Sequence, residues 1–501
     1  MNYCSTRDSS IRASAASAIV QGISAEGGLF VPTQLPTLTP ADLESLRHMD
    51  YAGRACRVLG GFLTDFSAEE IRSCVEGAYG GGKFDNPAVA PLSRLDGGDY
   101  LLELWHGPTC AFKDMALQLL PRLMTTAARK IGEQREIVIL VATSGDTGKA
   151  ALEGFRDVPG TKMAVFYPEN GVSAMQKLQM CTQEGQNVWV CGILGNFDDA
   201  QNGVKAIFTD RGLADRLSAH GVMLSSANSI NWGRLVPQIV YYISAYCDLL
   251  AGDEIALGDR VDVVVPTGNF GNILAAYYAR EMGLPIGRLV CASNRNNVLT
   301  EFLTTGLYDR NRPFYTTESP SMDILISSNL ERLLWHLSGG NSALVSGLMD
   351  QLAQTGCYQL PGDLLERVRQ LFWAGCCDDA GTEQTIRRVF DSYSYLLDTH
   401  TAVAVDVARQ YRQAVSGAEK LIIASTANPY KFARSVLHAI DPEVAAKAGD
   451  EFSAVDAVTA LTGAAVPAPL AGLREKQPRF DSVCSREGML QAFAQGLHIS
   501  L

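Results

Sequence analysis

Lys113 lies in "HGPTCAFKDMALQLL", residues 106–120, with Ala111 and Phe112 before it and Met115, Ala116 and Leu117 after it. An ammonium among apolar neighbours loses hydration, so its pKa falls and neutral amine becomes available near neutral pH. Such an amine can form a Schiff base with an aldehyde. The bland alternative is a surface lysine whose stem packs while its head reaches water. A second stretch, "PTGNFGNILAAYYA", sets Gly268 and Gly271 between an apolar run and a helical pattern. Glycines let backbone approach a ligand closely, and amides that open a helix attract anions. The amides of residues 268–272 can therefore converge on one phosphate, although a ligand-free tight turn has the same pattern. A dinucleotide site would need G-x-G-x-x-G rather than this G-x-x-G. A reactive lysine and a separate phosphate cradle match the two ends of pyridoxal phosphate.

Two further loops carry polar groups. "SGDTGKAAL" begins at Ser144, where small residues follow a strand-like run and open a helix. Its amides suit an anion, and Ser144 and Thr147 add hydroxyls. It is not a nucleotide P-loop, because Thr143 stands in place of the first glycine and Ala150 in place of the magnesium-binding hydroxyl. In "STANPYKFA", Ser425 and Thr426 end a strand-like run, where their hydroxyls either face a ligand or cap the next helix.

The elements that must position these loops read as α/β. Short Val- and Ile-rich runs at 136–143, 162–168, 187–194, 261–268, 288–293 and 420–426 suit strands covered on both faces. Helical patterns follow several of them, which implies open, mostly parallel sheets with flanking helices. In such sheets ligands gather at the carboxyl ends of the strands, where all these loops sit. The expected organisation is an N-terminal segment 1–95, a small mobile α/β domain 96–205 with the SGDTG loop, and a large domain 206–501. Residues from about 300 to 415 read as a helical elaboration of the large domain.

The 501 residues, 47% hydrophobic and 19% charged, are enough for two or more domains with large cores. A net charge of -12 argues against nucleic acid or an acidic membrane as partner, without excluding a small anionic substrate. The 12 cysteines show no metal-like spacing, so reduced thiols and no catalytic metal are expected. No secretory signal and no apolar run of about 18 residues is visible, so the reading is a cytoplasmic protein.

Six ordered motifs, "HGPTCAFKDMAL", "ATSGDTGKAAL", "SANSINWGRLVPQIVYY", "PTGNFGNILAAYYA", "LDTHTAVA" and "STANPYKF", together resemble the threonine synthase family. The opening "YCSTRDSS…QGISAEGGLFVP" does so as well. The resemblance implies a fold type II pyridoxal-phosphate enzyme that converts O-phospho-L-homoserine and water to L-threonine and phosphate. It implies that Lys113 holds the cofactor, that Gly268, Asn269, Phe270, Gly271 and Asn272 line its phosphate, and that Thr426 meets the pyridine nitrogen. Ser144, Gly145, Asp146, Thr147 and Gly148 would grip the substrate carboxylate, and Asn231 and Arg234 its phosphate. Asn428 stands where the family's usual motif has histidine. His106, Asp398 and His400 lie in motifs near the site without an assigned role. Two rivals remain: a phospho-lyase releasing 2-oxobutyrate, and a non-catalytic binding relative. Monomer and homodimer are both compatible.

Overall fold

The protein is described from a computed structural model that covers residues 1–143, 145–415, 417 and 420–499. Each of the six apolar runs forms a strand. Glu136–Ala142, Thr161–Pro168 and Val188–Ile193 join Val222–Ser225 and Val483–Cys484 in a five-stranded parallel sheet. Val261–Pro266, Ile286–Ser293 and Leu421–Ser425 join Asp99–Glu103 and Phe372–Cys376 in a second, parallel sheet, which Leu92–Asp96 closes as an antiparallel sixth strand. The continuous apolar runs are explained by burial on both faces: Val188–Ile193 and Leu421–Ser425 are buried at every position. Each fully buried valine or isoleucine contributes about 1.5–3 kcal/mol relative to exposure.

The sheets do not follow the expected boundaries strand by strand. Asp99–Glu103 lies within 96–205 yet pairs with Leu421–Ser425, whereas Val222–Ser225 and Val483–Cys484 lie outside it and join the five-stranded sheet.

The N-terminal segment forms a three-stranded antiparallel sheet, Tyr3–Ser5, Arg12–Ala13 and Phe30–Pro32. It is fastened to the helix Leu330–Leu337. Glu331 pairs with Arg7 at 2.6 Å, and buried Arg332 donates to the carbonyls of Phe30 at 3.0 Å and Ile230 at 2.6 Å. Tyr79, ending the helix Ala68–Tyr79, donates its hydroxyl to Met115 O at 2.6 Å and so braces the helix Lys113–Leu117. Residues 300–415 do more than elaborate: they supply the strand Phe372–Cys376, the helix Thr399–Ala414 and a turn, Pro320–Met322, that reaches Lys113. Among the described residues, no helix is long and apolar enough to cross a membrane.

Candidate active site

Lys113 opens a five-residue helix, and the loop before it pairs with the end of a strand of the large sheet. Ala111 bridges Ala427, Phe112 N donates to Thr426 O at 2.8 Å, and Asn428 N donates to Cys110 O at 3.0 Å. Backbone pairing thus ties the lysine loop to the loop holding Thr426. The Lys113 side chain is only 9% exposed, and its Nζ donates to Ser321 Oγ at 3.0 Å. Burial lowers its pKa to about 8; Asp146 opposes that fall, while Arg234 and Lys431 reinforce it. The sequence-based expectation of a desolvated amine is met.

The cradle lies on the other side of the same turn. A β-carbon on Gly268 would come within 2.9 Å of Ser321 O, so the 268–272 loop packs against the same Pro320–Met322 turn that meets the Lys113 amine. Phe270 adopts φ 62°, uncommon for a bulky residue. Its ring is buried against Phe372, with centroids 5.7 Å apart, which holds the strained turn in place. The ring therefore faces the core, and Phe270 can offer a phosphate only its backbone. Asn269 O is tied to Asn329 N at 3.2 Å and Asn329 Nδ2 at 3.0 Å. Asn272, in the first turn of the helix Gly271–Glu281, accepts at Oδ1 from Tyr241 at 2.6 Å and Tyr242 at 2.5 Å. Those two bonds fix the amide's orientation, and its Nδ2 is buried with no partner. A buried unpaired donor costs about 1–3 kcal/mol. Placed beside helix-opening amides, it is what an anionic phosphate would satisfy, and the residues fit pyridoxal phosphate.

Asp146 begins the helix Asp146–Phe155. Its Oδ1 lies 3.1 Å from Lys431 Nζ and accepts from Gln176 Nε2 at 3.0 Å; its Oδ2 lies 3.7 Å from Lys113 Nζ. Burial would raise its pKa, but Lys431 and Lys113 outweigh burial and hold the carboxyl below the usual range. Lys431, fully buried, also donates to Thr109 O at 2.9 Å and Gln179 Oε1 at 2.8 Å. Asp146 thus holds two lysines inside the loop that the resemblance assigns to the substrate carboxylate. The amides of Gly145 and Gly148 both donate to Thr143 Oγ1, at 3.0 and 2.9 Å. Among the described residues of this loop, Thr147 keeps a hydroxyl beside a cation, its Oγ1 3.5 Å from Arg234 Nη2. Ser144 lies outside the described residues.

Arg234 is 5% exposed and donates to Ala227 O at 2.9 Å. Burial alone lowers its pKa to about 10, so it is a desolvated cation suited to an anion. Asn231, grouped with it by the sequence, is fully buried and caps the helix Trp232–Ala251. Its Nδ2 donates to Ile19 O and Ser226 O, both at 3.0 Å, and its Oδ1 accepts from Gly233 N at 2.9 Å. With both amide hydrogens engaged, Asn231 shapes the start of the helix that carries Arg234.

Thr426 is buried where Phe112 and Thr401 meet it, its N–H donating to Thr401 Oγ1 at 3.2 Å. His106 is held between Glu103, 2.9 Å from Nε2, and Asp85 at Nδ1, and it stacks on Trp105. Burial opposes its charge, but the two carboxylates outweigh burial and raise its pKa. His400 accepts from Ser321 N at Nε2, 3.1 Å away, and its Nδ1 lies 3.1 Å from Asp398 Oδ1. Ser321, Lys431, Gln176, Tyr241 and Tyr242 had no place in the site read from sequence. For Lys431 a signal existed: like Lys113, it is a lysine among apolar and aromatic residues, in "NPYKFA".

A buried lysine set against a glycine-opened helix start, at the strand ends of a mostly parallel sheet, offers the covalent anchor and the anion site that a pyridoxal-phosphate-dependent enzyme requires. The family model described as "Pyridoxal-phosphate dependent enzyme" matches residues 87–427. The flanks are more particular: "Threonine synthase N terminus" matches residues 2–79 and "Threonine synthase, C-terminal" residues 401–493. The threonine synthase of Pseudomonas aeruginosa is 39% identical over 494 residues, 98% of each chain. A crystal structure of PLP-bound threonine synthase from Brucella melitensis superposes with a TM-score of 0.87 at 38% identity, covering 99% of each chain. The yeast threonine synthase structure gives 0.86 at 32%, again covering 99% of each. The chain belongs to the threonine synthase family. The human protein called threonine synthase-like 1 is 42% identical over 433 residues, which are 84% of this chain and 57% of that protein. The chain thus spans little more than half the length of that relative.

Proposed function

We propose that this chain converts O-phospho-L-homoserine and water to L-threonine and phosphate, with pyridoxal phosphate as cofactor. The observation that carries the reading is the meeting of a desolvated amine, Lys113, with an unpaired buried donor and helix-opening amides across one short turn. Lys113 Nζ would hold the cofactor covalently, the 268–272 backbone and Asn272 Nδ2 its phosphate, and Thr426 its ring nitrogen. The bound cofactor supplies an electron sink that makes substrate C–H bonds acidic.

The remaining work falls to the chain's own residues. Lys113 Nζ, 3.0 Å from Ser321 Oγ, takes a proton from one substrate carbon and returns one to another. Arg234 and Thr147 draw in the substrate's anionic end, where low dielectric strengthens the attraction. The carboxylate of Asp146 balances the lysines, so the site is not repelled by its own positive charge. Closure of the five-stranded sheet's domain over the large sheet would keep water out until the late step, when water must add to the substrate. Monomer and homodimer are both compatible with this reading. A cytoplasmic setting suits the free thiols.

The test is incubation of the purified protein with O-phospho-L-homoserine, following phosphate, threonine and 2-oxobutyrate together. Threonine and phosphate in equal amounts support the proposal. Phosphate with 2-oxobutyrate and no threonine would establish instead the phospho-lyase, which the same lysine and cradle would serve.

A further inference from the structure

Ser321 lies in the Pro320–Met322 turn, at a position where nothing in the local sequence "SPSMD" marks chemistry. The turn is built with unusual care. Asp323 Oδ1 accepts from Asn294 Nδ2 at 2.8 Å, Asn296 Nδ2 at 2.9 Å and Thr317 Oγ1 at 2.8 Å, and its Oδ2 accepts from Thr317 N at 2.9 Å. These bonds fix both ends of the stretch from Thr317 to Asp323. In its middle, the Ser321 N–H points at His400 Nε2, 3.1 Å away. An imidazole nitrogen that accepts carries no proton, so the ring's hydrogen sits on Nδ1 and is donated to Asp398 Oδ1 at 3.1 Å. Asp398 is itself held by the backbone N–H of His400 at 2.9 Å, as the cap of the helix Thr399–Ala414.

The outcome is one hydroxyl placed against the one reactive amine. Ser321 Oγ accepts from Lys113 Nζ at 3.0 Å and makes a long 3.5 Å approach to Asp146 Oδ2. We propose that Ser321 is a catalytic residue, whose hydroxyl receives and orients the Lys113 amine whenever that amine is not bonded to the cofactor, and that Asp398 and His400 position it. The inference rests on the reading of Lys113 as the cofactor lysine.

The physical need is plain. A free lysine side chain has about 2 kcal/mol of rotamer entropy, and an amine that samples many orientations is a poor base. Fixing one N–H on Ser321 Oγ leaves the nitrogen lone pair to face a substrate carbon. When the C–H bond breaks, its electron pair stays with the substrate and the lone pair of Nζ forms the new N–H bond. The resulting ammonium keeps its bond to Ser321 Oγ and gains from Asp146 Oδ2 at 3.7 Å. The proton then returns to a different carbon, and Ser321 keeps its own proton throughout. Asp146 alone does not suffice, because 3.7 Å is beyond hydrogen-bond range and Lys431 and Gln176 occupy its other oxygen. The charged groups acting on Lys113 are Asp146, which favours the ammonium, and Arg234 and Lys431, which oppose it.

The test uses holoenzyme of the parent protein and of Ser321→Ala, Ser321→Thr, His400→Leu and His400→Gln, each reduced with borohydride to confirm the cofactor on Lys113. In Ser321→Ala, kcat should fall about tenfold or more with KM within about threefold. An accepted N–H favours the protonated nitrogen, so removing the acceptor should move both the acid limb of the kcat profile and the pH midpoint for acylation of the free Lys113 amine, measured after the cofactor is stripped from the same protein, down by about half a pH unit. Ser321→Thr, which keeps the hydroxyl, should restore most of both. His400→Leu should reproduce part of the loss, and His400→Gln, which keeps an acceptor for the Ser321 N–H, should lose less. Unchanged kcat and unchanged pH midpoints in Ser321→Ala would overturn the inference, as would equal losses in Ser321→Ala and Ser321→Thr. If the parent protein shows no cofactor on Lys113, the proposed function falls first and this inference with it.

Discussion

Two loops of this protein look alike in sequence and have become different devices. Gly145–Gly148 and Gly268–Asn272 each follow a parallel strand and open a helix. In the first, the glycine amides are occupied by Thr143 and the acid is held between two lysines. In the second, the acceptor of Asn272 is pinned by two tyrosines and its donor is left without a partner. A helix start is thus not by itself an anion site. What decides is whether its donors are already satisfied by the protein, and the residues that decide it, Thr143, Lys431, Tyr241 and Tyr242, mostly lie in other elements.

The contrast can be broken at either loop. The largest effect is expected for Lys113→Ala, which should lower turnover by about 10³-fold or more and abolish covalent attachment of the cofactor, read by steady-state kinetics and intact mass. Next is Lys431→Met, which takes the cation from the buried Asp146 Oδ1 and leaves it only the amide of Gln176. Breaking a buried pair costs about 3–5 kcal/mol, measurable by urea unfolding. The sign with pH is fixed by direction: the folded pKa of Asp146 lies below its ordinary 3.8. Its contribution is therefore present above about that pH and is lost as the pH falls through the folded value, and Asp146→Asn should flatten that acid slope.

A smaller effect separates the two loops. Asn272→Ala should weaken cofactor retention on dialysis by about 10- to 100-fold, the equivalent of one buried hydrogen bond to a charged group, while Thr143→Val should lower stability and leave retention unchanged. If Thr143→Val sheds cofactor as readily as Asn272→Ala, the two loops are not distinct devices. The smallest effect concerns His106, whose folded pKa is raised above 6.5. Its stabilisation is present below that pH and lost as the pH rises through the folded value, so His106→Gln should flatten the alkaline side of the stability profile with little change in activity.

Much of the frame was legible in the sequence because burial on both faces imposes a local pattern. The runs at 136–143 and 261–268 could hardly be anything but inner strands. Phe372–Cys376 and Val222–Ser225 escaped notice because they are short edge strands, and Asp99–Glu103 because its apolar stretch is brief. At the site, Lys113 and the 268–272 loop were readable since each carries its chemistry in consecutive residues. The surroundings of Asn231 and Asp146 were not readable for the opposite reason: their partners are Ile19, Ser226, Lys431 and Gln176, which only the folded chain brings near. Ser321 left no trace, as a serine in a polar turn has the same local signature with or without an amine 3.0 Å away.

Reduction of the purified protein with borohydride, followed by digestion and peptide mass spectrometry, locates the covalent anchor on which all of this depends. The pyridoxyl mass should appear on the peptide containing Lys113 and nowhere else. Its appearance on the peptide containing Lys431, or on no lysine of the chain, would contradict the assignment of the 113 amine to the cofactor.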